Sequence, residues 1–206
     1  LPLFSLPLLL VIGSKGAMAL VLLAIVARVA LPLVGARLTM AGVVVAAVGW
    51  VASAIVIGIG TGDFHVLGFF AGLQGFLGNP LGQGLGIGGN LSSTSVVLDW
   101  SRSQEVGSAN VPVESAVGVM LYQMGVGAFA FFGFLAAVIW RSRALLLRAG
   151  PQGFLFVFVG TVMIGANGVL QEEAFYSPLA LGLCLLLAGL AFGDEAGSDR
   201  PSERGA

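Results

Sequence analysis

The sequence predicts an all-α fold, a polytopic transmembrane bundle of about six spans with one large outer loop, and three observations predict it. Hydrophobic residues make up 57% of the chain and charged residues only 9%, with a mean hydropathy of +1.01, far from the composition of a soluble domain. The apolar residues fall in long runs instead of alternating with polar ones, which is the pattern of membrane-spanning helices. Finally, the nine Lys and Arg residues are distributed unevenly between the two sets of connecting segments.

The elements follow in order. A spanning helix needs roughly 20 apolar residues, and the stretches 17–34, 40–59, 116–139, 153–170 and 176–193 come close to that length. Residues 1–13 read as a sixth, truncated helix, because the chain opens at Leu1 inside an apolar run, and further helices are expected upstream. The organisation is then transmembrane helices over 1–62, a large outer loop over 63–113, transmembrane helices over 114–193 and a disordered cytoplasmic tail over 194–206. The loop holds a short apolar piece, Phe64 to Leu77, followed by a Gly-rich stretch and a polar run with Asp99, Arg102 and Glu105.

Loops on the cytoplasmic side of a membrane are enriched in cations. With the large loop outside, the inner side holds Arg28, Arg37, Arg141, Arg143, Arg148, Arg200 and Arg204, and the outer side only Lys15 and Arg102. Seven against two fixes the expected orientation. A net charge of −1 gives no reason to expect nucleic acid as a partner. The single cysteine, Cys184, lies within an apolar run, so no disulfide framework is possible and a packing role is expected.

This topology carries Ser14-Lys15-Gly16, Asp63-Phe64-His65, the Gly-rich loop and Glu114-Ser115 to one face. A cation on the outer face beside a helix start fits an anionic ligand, or else a lysine reaching the interface. The loop from Gly78 to Asn90, with Gly82, Gly84, Gly86 and Gly89, is too rich in glycine for a helix, and its backbone can approach a ligand closely. Gly84-x-Gly86-x-x-Gly89 matches a dinucleotide fingerprint in letters only, since Asn79-Pro80 precedes it where a strand is required. An anion-binding concavity for phosphate or a flexible connector are the readings that remain. His65 is the only histidine and no His/Cys cluster accompanies it, so no metal site is expected. Pro112-Val113-Glu114-Ser115 opens the helix that runs to Trp140, placing a carboxylate in its first turn, either as a dipole partner or as a general base.

These residues together, Ser14-Lys15-Gly16 before a helix, His65, the run Pro80-Leu81-Gly82-Gln83-Gly84-Leu85-Gly86, and Glu114-Ser115 separated by residues 116–124 from Gly125, resemble the O-antigen ligase and polymerase superfamily. In that family a Ser-Arg-Gly-like step opens a helix at the outer face, and here Lys15 stands for the arginine. Ligases of the family carry a histidine at the step occupied by Glu114, and this departure moves the expectation toward a polymerase-like member. The resemblance covers residues 14–139.

The resemblance implies a GT-C-like, metal-independent glycosyltransferase in a bacterial inner membrane. Its donor would be a polyprenyl-diphosphate-linked glycan (undecaprenyl diphosphate in this family) and its acceptor the hydroxyl of another glycan, in surface polysaccharide biosynthesis, with no cofactor. Lys15 and, second to it, Arg102 would offset charge on the departing diphosphate, and Gly82, Gly84, Gly86, Gly89 and Ser115 would line the substrate. Glu114 or His65 would take the acceptor proton, with Glu114 favoured. The alternatives are a ligase proper, a transporter or flippase for a lipid or glycan, and a noncatalytic scaffold.

Overall fold

The computed structural model describes residues 15–86, 114–149 and 152–198, and helix is the only regular structure among them. Helix α1 covers Lys15–Thr61 with a break at Gly35, whose φ of 79° and ψ of 166° no helix contains. The local cause is in the sequence. Pro32 has no N–H to donate and its ring crowds the preceding turn, and Gly35 takes a left-handed φ at no steric cost. Thr39 Oγ1 then donates to the Gly35 carbonyl at 2.9 Å. The break divides the 47 residues of α1 into a segment before Gly35 and a segment after it. Both segments join one core: Ala27 from the first and Met40, Val43 and Ala47 from the second cluster with Leu145, Leu146, Phe154, Leu155 and Phe158.

Helix α2, Phe64–Gly78, occupies the apolar piece that the sequence assigns to the outer loop. At 15 residues it falls short of a span, yet it is a packed helix. Asp63 is its N-cap, with the carboxylate accepting from the His65 N–H at 2.9 Å. Helix α3, Ala116–Met124, lies against α2 in the same direction, with Gly72 against Gly118 and Gly75 against Tyr122. A Cβ at Gly72 would overlap the backbone of Gly118, so glycine there sets the close approach of the two helices.

A tight turn, Gly125–Gly127, separates α3 from α4, Ala128–Ala149. Helix α5 is Gln152–Gly168, α6 is the single turn Glu173–Tyr176, and a wide turn at Pro178–Gly182 leads into α7, Leu183–Ser198. Helix α7 thus extends five residues into the stretch that the sequence assigns to a disordered tail. Extending an existing helix fixes one residue per added hydrogen bond, and Glu195 and Ala196 are good helix formers. Two helical stretches, Gly16–Thr61 and Ala116–Arg148, are long and apolar enough to cross a membrane, and Phe64–Gly78, Phe154–Gly168 and Pro178–Gly193 are shorter apolar helices.

The break between α3 and α4 is filled by the Gly-rich loop. In a continuous helix the Val126 N–H would donate to the Tyr122 carbonyl; here it donates to Pro80 O at 2.8 Å, and Tyr122 O accepts from Gln83 N at 2.9 Å. Gln123 O likewise accepts from Gly84 N at 3.1 Å. Loop and helix exchange hydrogen-bond partners, so the interruption leaves these backbone groups satisfied. Asn79 closes the loop on itself, its side-chain amide donating to Gly82 O at 2.9 Å.

Candidate functional site

The first turn of α2 and the residue before α3 meet at one end of the helix pair. His65 Nδ1 stands 3.3 Å from Glu114 Oε2, within ion-pair distance though without the alignment of a hydrogen bond. Nδ1 is screened from solvent while the His65 side chain as a whole is 41% exposed, so the exposure comes from the rest of the side chain. Glu114 is 22% exposed. A carboxylate at Nδ1 favours the tautomer with the proton on that nitrogen and the lone pair on Nε2.

The sequence pattern places Glu114 in the first turn of a helix, but in the structure it precedes the helix. The N-cap of α3 is Ser115, whose Oγ accepts from Gly118 N at 3.0 Å. A serine outcompetes the preceding glutamate for this place because its short side chain reaches the free N–H groups of the first turn. Freed from capping, the Glu114 carboxylate turns to His65. Ser115 is fully buried, and its hydroxyl also donates to the Gly168 carbonyl at 3.3 Å. Both partners of this hydroxyl are within the protein, and they join the start of α3 to the end of α5.

The same junction reaches the start of α1. Gly16 is buried with the Asn167 side chain directly over it, so closely that a Cβ there would lie 2.8 Å from Asn167 Oδ1. Lys15, described by its backbone alone, therefore begins α1 beside the end of α5. Asn167 Nδ2 donates to Gln171 Oε1 at 3.0 Å, and the next residue, Glu172, is only 3% exposed. Burial, and secondarily the Glu172 carboxylate, push the Tyr176 hydroxyl above its usual pKa.

His65, Glu114, Ser115 and the Lys15–Gly16 step thus lie around one end of the bundle. The Gly-rich loop does not join them. Gly82 and Gly84 contact Gln123 at the far end of α3, about 13 Å along the helix from Glu114. Their amides are in use: Gly82 N donates to Asn79 O, Gln83 N to Tyr122 O and Gly84 N to Gln123 O. These glycines build a joint between helices, not a phosphate cradle beside the dyad; Gly86 follows them in the same loop with a φ of 82°. Gly89 and Arg102 lie outside the described residues.

Sequence reasoning passes over Asn167, and places Glu172 only as part of an acidic turn, Gln171-Glu172-Glu173, on the outer side. The polar step Asn167 to Glu173 between two apolar runs is the signal for Asn167, but Gly16, the α1 residue it covers, is distant in sequence. Among the described residues no group of three His, Cys, Asp or Glu side chains is placed to hold a metal ion. No protein-family model, curated protein or solved structure matches the chain.

Proposed function

We propose that the chain is a multi-pass membrane glycosyltransferase of the O-antigen polymerase type, acting on polyprenyl-diphosphate-linked glycan at the outer leaflet of a bacterial inner membrane. The observation that carries it is the His65–Glu114 contact at 3.3 Å, with Nδ1 screened and the rest of the side chain partly exposed. A membrane setting is supported by the two helices of spanning length and by large side chains that face outward: Leu33, Val45, Val56 and Leu179 are 76, 71, 72 and 83% exposed. In lipid, that surface is solvated; in water it would drive association.

The acceptor hydroxyl attacks the anomeric carbon of the donor. Its proton passes to His65 Nε2 as the new glycosidic C–O bond forms, and the bond from the anomeric carbon to the diphosphate breaks, its electron pair leaving with the polyprenyl diphosphate. Glu114 holds the ring and offsets the charge it gains, so the roles favoured from sequence alone are exchanged: His65 is the base and Glu114 its positioning partner. The departing diphosphate is favoured by the positive end of α1 and by the charge of Lys15.

A polymerisation assay with lipid-linked glycan tests this. His65→Ala lowers the rate about 10² to 10⁴-fold, the usual contribution of a general base. Glu114→Gln lowers it less, and the double variant is no slower than His65→Ala, because two groups acting as one unit are not additive. A His65→Ala protein that inserts normally and polymerises within a few-fold of the parent would sink the proposal.

The interrupted helices favour a second reading, since transporters build substrate sites where helices break. At the α3–α4 break, however, the carbonyls of Tyr122 and Gln123 that would take an ion already accept from the Gly-rich loop.

A further inference from the structure

An apolar groove of about 520 Å³ runs between the first segment of α1, α5 and α7, within the size range of sites that take small molecules. Leu20 and Ile25 of α1, Phe156 and Val159 of α5, and Leu183 and Leu187 of α7 line it, and Arg28 is the only charged residue in its wall. Arg28 is half-buried and forms no ion pair or hydrogen bond among the described residues. Two other arginines of the chain sit over aromatic rings, Arg141 over Phe192 at 4.9 Å and Arg143 over Trp140 at 5.0 Å. A cation beside an apolar channel calls for an amphiphile whose anionic group meets the guanidinium while its chain fills the channel.

We infer that this groove holds an anionic glycerophospholipid, with its phosphate on Arg28 and an acyl chain along α5 and α7. The inference rests on the membrane reading proposed above but not on the transferase reading. Arg28 is 13 residues along α1 from Lys15, about 20 Å, and lies level with Phe156 near the start of α5. The His65–Glu114 end is at the other end of α5, beside Gly168. The lipid is therefore drawn from the leaflet opposite the proposed reaction and is not its substrate. The apolar segment 1–13 is the other candidate to cover the groove, but it contains no Asp or Glu to meet Arg28, whereas a phosphodiester does.

Native mass spectrometry of the purified full chain, delipidated and returned to phosphatidylglycerol or phosphatidylcholine, tests the site. The parent is expected to retain one phosphatidylglycerol in preference to phosphatidylcholine. Arg28→Gln weakens phosphatidylglycerol binding about fivefold, the usual effect of one cation at an anionic lipid surface, and Arg28→Lys keeps most of it. Leu183→Trp, at a half-exposed position in the wall, blocks binding with the charge intact. Arg37→Gln, on the same helix but outside the groove, leaves binding unchanged. Equal retention of the two lipids by the parent, or equal phosphatidylglycerol retention by parent and Arg28→Gln, overturns the inference, as does a disulfide between copies formed by Leu183→Cys in a Cys184→Ser background that excludes lipid. A chain extracted from membranes by alkaline carbonate would instead overturn the membrane reading itself.

Discussion

At the scale of single residues, His65, Glu114, Asn167 and Glu172 lie where helices start or stop. Glu172 is buried at such a place, and it raises the pKa of Tyr176, although burial is the larger cause. A phenol whose folded pKa exceeds its unfolded value, about 10, favours folding fully below that value and loses the contribution as pH rises through the folded pKa. Tyr176 is 43% exposed, so solvent screens part of the effect. In a Tyr122→Phe background the phenolate absorbance of the remaining tyrosine should appear above the ordinary pH range, and Glu172→Gln should lower its midpoint. A midpoint unmoved by Glu172→Gln would mean that the carboxylate plays no part. His65 was legible in the sequence as the lone histidine, two residues after Asp63 at the start of the outer loop, but its pairing with Glu114 was not, because the two are 49 positions apart and no local pattern connects them. The place of Glu114 was misread for a local reason: a glutamate and a serine in succession both resemble helix starts, and only the folded chain shows which of them caps.

At the scale of elements, helix breaks decide the architecture. The break at Gly35 was readable as the gap between two apolar stretches, with Pro32 and Gly35 beside it. The break at Gly125 was not, since residues 116–139 read as one continuous span, and the atoms that fill the gap are backbone groups with no sequence signature. Gly125 has a φ of +54°, and a Cβ there would run into Pro80 O and Gly82 N. Gly125→Ala should therefore destabilise the protein by about 1–3 kcal/mol, visible as a lower melting temperature in detergent. Gly133→Ala is the control. Its site lies within α4 with open space around it, and the substitution should be neutral or stabilise by about 0.5–1 kcal/mol. Equal melting temperatures for the two variants would mean that the loop does not hold the joint. The short helix α2 was hidden for another reason: at 15 residues it is below the length that signals a span, and its neighbours in sequence are loop-like.

At the scale of the whole molecule, composition alone carried most of the all-helical reading, because long apolar runs leave few alternatives to helix. The side on which each end lies is a matter of charge. Cysteine placed at Ser103 in a Cys184→Ala background should react with an impermeant reagent in intact cells, as the seven-to-two distribution of cations predicts. Labelling only after permeabilisation would reverse the orientation and move the His65–Glu114 end to the cytoplasmic face. The exchange of hydrogen bonds between the Gly-rich loop and the α3–α4 break also bears on how the protein is made. Pro80 O, Gln83 N and Gly84 N must wait for residues 122–126 to be synthesised before they find their partners. At typical elongation rates of about 5–20 residues per second, that interval lasts seconds. A ribosome stalled before Val126 would leave a nascent chain with these groups unpaired, a ready mark for a quality-control protease.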